Sequence, residues 1–139
     1  MTHFSKQLAE IYTQTMSLHQ ILSNVKLLRN NKTTVTASEA LASKAKILVY
    51  FSSHWCPPCK VLTPILKEAY TSELKDAQIE VLFVSSDSNA ESAVSYFTND
   101  HGNWLFVPYE SEASKQLKSL CGVASGYEIS NIIFYIKGV

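Results

Sequence analysis

Two cysteines separated by two prolines stand near the middle of the chain, in Ser52-Ser53-His54-Trp55-Cys56-Pro57-Pro58-Cys59-Lys60. A thiolate is the nucleophile of disulfide exchange, so such a pair needs one easily ionised thiol and a second within reach. The flanking residues meet both needs. Ile47-Leu48-Val49-Tyr50-Phe51 reads as a strand and the pattern after Cys59 as a helix, so Cys56 falls at a helix start. Unpaired backbone N–H groups and the positive end of the helix dipole favour a thiolate there. Pro57 has no N–H to leave unpaired and fits the first turn, and Cys59, one turn on, lies on the same side. The predicted chemistry is a dithiol–disulfide cycle in which Cys56 attacks a substrate disulfide and Cys59 resolves the mixed disulfide. It requires no metal or organic cofactor, but it does require an external thiol reductant. The competing readings are half of a zinc site, or two inert thiols; zinc sites commonly take four ligands, and only His54 and Cys121 are obvious extras.

The elements that must position this pair follow from periodicity. Lys46 to Ser52 is a continuous apolar run, as in a strand buried on both faces at the centre of a parallel sheet. After the thiols, Val61, Leu62, Ile65, Leu66, Ala69 and Tyr70 recur at helical spacing, with Pro64 expected to kink that helix. Ile79 to Val84 reads as a second buried strand. Ser88-Asn89-Ala90-Glu91 reads as a capping box opening a helix to about Thr98. Asp100-His101-Gly102-Asn103 breaks the pattern, Trp104 to Val107 reads as extended, and Ala113, Leu117, Leu120 and Cys121 mark one face of a further helix stopped by Gly122. Asn131 to Ile136 is a last strand. Upstream, Phe4, Leu8, Ile11 and Tyr12 mark an amphipathic helix or leader within residues 3–17, which Leu18 to Leu22 continues. Val25 to Leu28 reads as a short strand, Arg29 to Lys32 as a turn, and Thr36-Ala37-Ser38-Glu39 as a capping box. Strands alternating with helices predict an α/β sheet covered on both faces, with the thiols at the carboxyl end of a central strand, the edge where reactive groups gather in such sheets.

Composition narrows the function classes. The chain has 139 residues, 46% apolar and 17% charged, the balance of one folded domain. Twelve basic residues balance twelve acidic ones, which argues against nucleic acid or an anionic membrane as partner. No apolar run approaches the roughly 20 residues of a membrane span, and the first twenty residues do not read as a secretory signal. Three cysteines, two of them in one motif, favour a reducing compartment, hence the cytoplasm or the nucleus.

The stretch Tyr50 to Lys60, with its paired prolines and preceding Tyr-Phe-Ser, resembles the nucleoredoxin and tryparedoxin branch of the thioredoxin superfamily. Phe83-Val84-Ser85-Ser86-Asp87 and Trp104-Leu105-Phe106-Val107-Pro108-Tyr109 resemble two further segments of that branch, so the likeness runs over residues 18–136, with 1–17 left as an extension. The resemblance implies a thioredoxin-like fold, a central mixed β-sheet flanked by helices, over residues 18–139. It implies a protein-disulfide reductase with Cys56 as exposed nucleophile, Cys59 as buried resolving thiol and Trp55 beside them. Ordinary thioredoxins carry a buried aspartate where this chain has Tyr50. Asp87 then becomes a candidate for proton handling or for holding the site loop, the alternative being a capping or turn aspartate. His54 either tunes the thiolate by its charge or is an exposed loop histidine. Trp104 lines the substrate surface or belongs to the core, and Cys121 reads as a buried structural thiol.

Two departures from the family are expected to matter. Ile129-Ser130-Asn131 stands where the family has a cis-proline loop facing the thiols. A cis bond before Ser130 would cost about 2.5–4 kcal/mol, so the substrate-facing loop at Ile129 and Ser130 is expected to be trans and reshaped. The family also continues with a strand and a helix beyond the point where this chain stops, at Val139. Their absence would leave the edge at 132–136 unpaired and open to a homodimer through residues 131–136. Alternatives to the enzyme are therefore a catalytically impaired binding or redox-sensing module, or a metal-linked dimer.

Overall fold

The computed structural model describes residues 18–123 and the strand Ile132–Lys137. The extension 1–17 and the Ile129–Ser130 loop lie outside the described residues. Residues 18–22 are helical (α1), followed by the strands β1 (Lys26–Arg29) and β2 (Thr34–Thr36) and the short helix α2 (Ala37–Leu41). Strand β3 (Lys46–Ser52) leads into helix α3 (Pro57–Ala69), which runs on through one wider π turn, Tyr70–Leu74. Strand β4 (Ile79–Ser85), helix α4 (Ala90–Asp100), strand β5 (Leu105–Phe106), helix α5 (Glu112–Leu120) and strand β6 (Ile132–Lys137) complete the order.

The strands form one sheet in the order β2-β1-β5-β4-β3-β6. β3, β4 and β5 are parallel neighbours, while β6 joins β3, and β1 joins β5, antiparallel. The expected mixed sheet flanked by helices is therefore the observed one. β3 runs in register with β4 from Lys46 opposite Ile79 to Ser52 opposite Ser85. The right-handed crossover rule for parallel strands makes α3 the connection between them, so the end of β3 must hand directly to the start of α3.

Alternation along the two central strands divides the core. Ile47, Val49 and Phe51 of β3 and Leu82 and Val84 of β4 join Leu18, Leu22, Leu41 and Leu117 on one face. Tyr50, Val81 and Phe83 join Leu66, Tyr70, Tyr96, Phe97, Trp104 and Phe106 on the other. Thus α1, α2 and α5 cover one face and α3 and α4 the other.

Local chemistry sets the boundaries. Thr36 caps α2 by accepting the Glu39 N–H (3.3 Å), as its capping pattern predicts. The cap of α4 is Asn89, which accepts the Ser92 N–H at 2.8 Å, one residue later than the predicted Ser88; both residues suit a cap, and the amide wins. The left-handed φ of +70° at Gly122 follows α5, where a residue without Cβ is favoured. β2 was not anticipated, because its three residues carry no alternation long enough to read. Trp104 is fully buried, edge-on to Tyr70, and so belongs to the core rather than the substrate surface. Its ring also explains Gly102, where a Cβ would stand 2.5 Å from the indole.

His101 ends α4 and is buried among the rings of Phe83, Tyr96 and Trp104. The Trp104 Nε1–H donates to its Nδ1 at 3.0 Å. The proton of the neutral ring therefore sits on Nε2, which is buried without a partner. Burial, aided by the charge of Lys67, pushes the histidine from its ordinary 6.5 down to about 3. Between those two values the unfolded chain binds a proton that the folded chain refuses, so stability is complete above about pH 6.5 and falls as pH drops toward 3. The slope from this group is up to about 1.4 kcal/mol per pH unit. Replacing His101 by Gln, whose oxygen can still accept from Trp104, should flatten the acid limb by one proton when urea unfolding is compared at pH 7 and pH 4.

Candidate active site

Cys56 has extended backbone angles (φ −86°, ψ 114°) and is the N-cap of α3. A helix start normally leaves four N–H groups without partners. Here Pro57 and Pro58 occupy the first two helical positions and carry none. Two orphan donors remain: the Cys59 N–H reaches the Cys56 Sγ at 3.2 Å and the Cys56 N–H the Ser53 carbonyl at 3.4 Å, while the Lys60 N–H makes the first regular helical bond, to the Cys56 carbonyl at 3.2 Å. The sulfur therefore occupies the position at which a helix start presents its hydrogen-bond donors and its positive dipole end.

Cys56 and Cys59 are disulfide-linked, with Cα atoms 5.2 Å apart. Cys59 is fully buried and Cys56 retains 4% exposure. Cys56, predicted to be exposed, is nearly covered in this bonded state, because its sulfur is turned toward Cys59; its remaining surface makes it the one of the two that faces outward. Among the described residues no three His, Cys, Asp or Glu side chains are grouped to hold a metal ion.

The loop carrying the site is tied down from across the sheet edge. The Asp87 side chain is fully buried. Its Oδ1 accepts the His54 backbone N–H at 2.9 Å and the His54 ring at 2.8 Å, and its Oδ2 accepts the Ser85 hydroxyl at 2.8 Å. Because a carboxylate can only accept, Nδ1 of His54 is the donor. The Ser86 N–H donates to the Ser52 carbonyl at 2.9 Å. Trp55 leans over the same loop, its Nε1–H 3.4 Å from the Ser86 carbonyl. The Tyr109 hydroxyl donates to the Asp87 carbonyl at 2.8 Å and so fixes that loop in turn. Asp87 is thus neither the cap of α4 nor a simple turn residue; it holds the site loop.

Behind the helix runs a chain of buried hydroxyls. Tyr50 contacts Thr63 at 2.8 Å, Thr63 contacts Tyr96 at 2.7 Å, and Tyr96 contacts Ser52 at 2.7 Å. Burial pushes the Tyr96 hydroxyl well above its ordinary pKa, which keeps it a neutral link. Tyr50 therefore packs beneath α3 and anchors it through Thr63, one turn after Cys59. Ser52, Thr63, Ser85, Tyr96 and Tyr109 were not singled out from sequence, where isolated hydroxyls carry no signal.

The loop and helix that carry the dithiol expose several apolar side chains beside His54 and Lys60: Trp55 is 36% exposed, Val61 67% and Ile65 59%, with Pro57 and Pro58 also exposed. The third cysteine, Cys121, is buried at the end of α5, and burial pushes its thiol up to about 11. It is a structural thiol, as its helical face predicts.

This geometry has close counterparts. A thioredoxin-like family profile matches residues 44–133. Nucleoredoxin of Danio rerio is 46% identical over 99 residues, which is 70% of this chain and 23% of that protein. The chain thus spans about a quarter of the length of that curated relative. Among solved structures, thioredoxin from Wuchereria bancrofti superposes with a TM-score of 0.76 at 41% identity, covering 84% of this chain and 78% of that one. Tryparedoxin from Trypanosoma brucei gives 0.73 at 27% identity, covering 88% and 80%.

Replacing Asp87 by Ala would leave the His54 N–H and the Ser85 hydroxyl without their acceptor. The expected cost is about 1–3 kcal/mol in urea unfolding, with loss of hydrogen-exchange protection at the His54 amide. Asp87→Asn, which keeps one acceptor oxygen, should cost less.

Proposed function

From the premise that this chain belongs to the thioredoxin-like family, we propose that it is a protein-disulfide reductase working through Cys56 and Cys59. The observation that carries this reading is the Cys56 sulfur at the start of α3, accepting the Cys59 N–H and within bonding reach of Cys59. A reduced Cys56 in that position gains its thiolate from the N–H donor and the helix dipole.

The cycle begins with the Cys56 thiolate attacking one sulfur of a substrate disulfide. A bond forms between Cys56 and that sulfur, the substrate S–S bond breaks, and its electron pair leaves on the second sulfur, which takes up a proton. Cys59 then gives up its proton and attacks Cys56. The Cys56–Cys59 disulfide forms and the first substrate sulfur departs as a thiol. Two electrons have passed from the dithiol to the substrate, and an external thiol reductant restores them. No metal or organic cofactor takes part. The apolar rim of Trp55, Pro57, Pro58, Val61 and Ile65 supports a polypeptide as substrate, since a protein disulfide brings apolar surface to meet it. A reducing compartment such as the cytoplasm suits the cycle.

Insulin reduction followed by turbidity, with dithiothreitol as the external thiol, tests the reading. The wild-type chain should precipitate insulin well above the dithiothreitol background. Cys56→Ser should return the rate to background, while Cys59→Ser should accumulate a mixed disulfide visible by mass. A wild-type rate at background, or one unchanged by Cys56→Ser, would refute it.

A further inference from the structure

Resting on the reductase reading above, we propose that His54, held by Asp87, is the proton donor to the sulfur that leaves the substrate disulfide when Cys56 attacks. Three observations converge on it. First, Asp87 is committed to the loop: its two oxygens accept the His54 N–H, the His54 Nδ1–H and the Ser85 hydroxyl, and its side chain is fully buried. It fixes the ring and its tautomer, so the exchangeable proton of the imidazolium belongs to Nε2. Second, the ring is 49% exposed although its carboxylate partner is wholly buried, so the face away from Asp87 is open to an incoming group. Third, one residue separates His54 from Cys56, on a loop pinned by hydrogen bonds at Ser52, His54 and Trp55.

The groups that face the ring are compatible with this role. Asp87 meets it from the β4–α4 loop. From α4, Glu91, Tyr96 and Asp100 line with it an open cleft of about 260 Å³ whose lining includes no lysine or arginine. No neighbouring cation on that wall competes with a protonated imidazole.

The step balances without a further reagent. The Cys56 thiolate forms its bond to the attacked sulfur, the substrate S–S bond breaks, and the electron pair moves to the departing sulfur. That sulfur takes the Nε2 proton and leaves as a thiol, and the neutral ring regains a proton from water. Assistance of this kind matters where the leaving thiolate is strongly basic and is dispensable where it is weakly basic.

This difference provides the test. Second-order rates of the reduced full-length chain are measured at pH 7 with two probes: hydroxyethyl disulfide, which releases a basic alkyl thiolate, and 5,5′-dithiobis(2-nitrobenzoate), which releases a weakly basic aromatic one. In His54→Asn the ratio of the alkyl to the aromatic rate should fall about tenfold or more. A parallel loss with both probes would mean that His54 only shapes the loop and would overturn the assignment, as would an unchanged ratio. A wild-type chain inert to both probes would overturn the reductase reading itself and this step with it.

Discussion

The start of α3 has two orphan backbone donors to satisfy instead of four, and the one inside the helix, the Cys59 N–H, is directed at the Cys56 sulfur. That constraint links most of the molecule to the site. The two prolines remove competing N–H groups and hold the first turn in a helical φ. The sulfur thus fills the place that a serine or aspartate oxygen takes at an ordinary helix start. The cap is useful only if the helix start is fixed, and the remaining architecture accomplishes that. β3 is clamped in register between β4 and β6 over its length. α3 lies against Tyr50, Val81 and Phe83 through Leu66 and Tyr70.

Asp87 supplies the second constraint. A buried carboxylate that accepts three hydrogen bonds is costly to disturb, and here they join the end of β4 to the loop before Cys56. The cost of burying the charge is offset by its three hydrogen bonds, one of them from the histidine ring. The hydroxyl chain from Tyr50 to Ser52 does the same from below with neutral groups. Dithiol, helix and loop are therefore positioned by polar contacts that are local to the carboxyl edge of the sheet. The apolar core sets the larger frame.

Much of this was legible in the sequence because it is encoded by neighbours in the chain. The run from Lys46 to Ser52 has one reading, a doubly buried strand, and the bounds match. The spacing of Val61, Leu62, Ile65, Leu66, Ala69 and Tyr70 gives the helix α3, and Pro57 gives its start, but not its buried face as read: Val61 and Ile65 stay exposed, and Cys59 and Thr63 are buried beside Leu66. What the sequence leaves open depends on contacts between distant positions. Asp87 has several local uses, and its actual one requires His54, which lies 33 residues away. Trp104 could be surface or core until Tyr70, His101 and Gly102 surround it. Ser88 and Asn89 are both good caps, and which is used depends on how β4 ends. The wider turn at Tyr70–Leu74 follows from where Tyr70 must sit to bury its ring and reach Glu80 at 2.9 Å, again a tertiary demand.

The central claim is that the helix start makes Cys56, alone of the three cysteines, a ready nucleophile. The direct measurement is brief alkylation of the fully reduced chain with iodoacetamide at about pH 6.5, where an ordinary thiol near 8.5 is almost wholly protonated, followed by peptide mass spectrometry. The account predicts rapid, single modification at Cys56, with Cys59 and Cys121 untouched on the same timescale. Equal labelling of the three thiols, or modification of Cys59 ahead of Cys56, would contradict it.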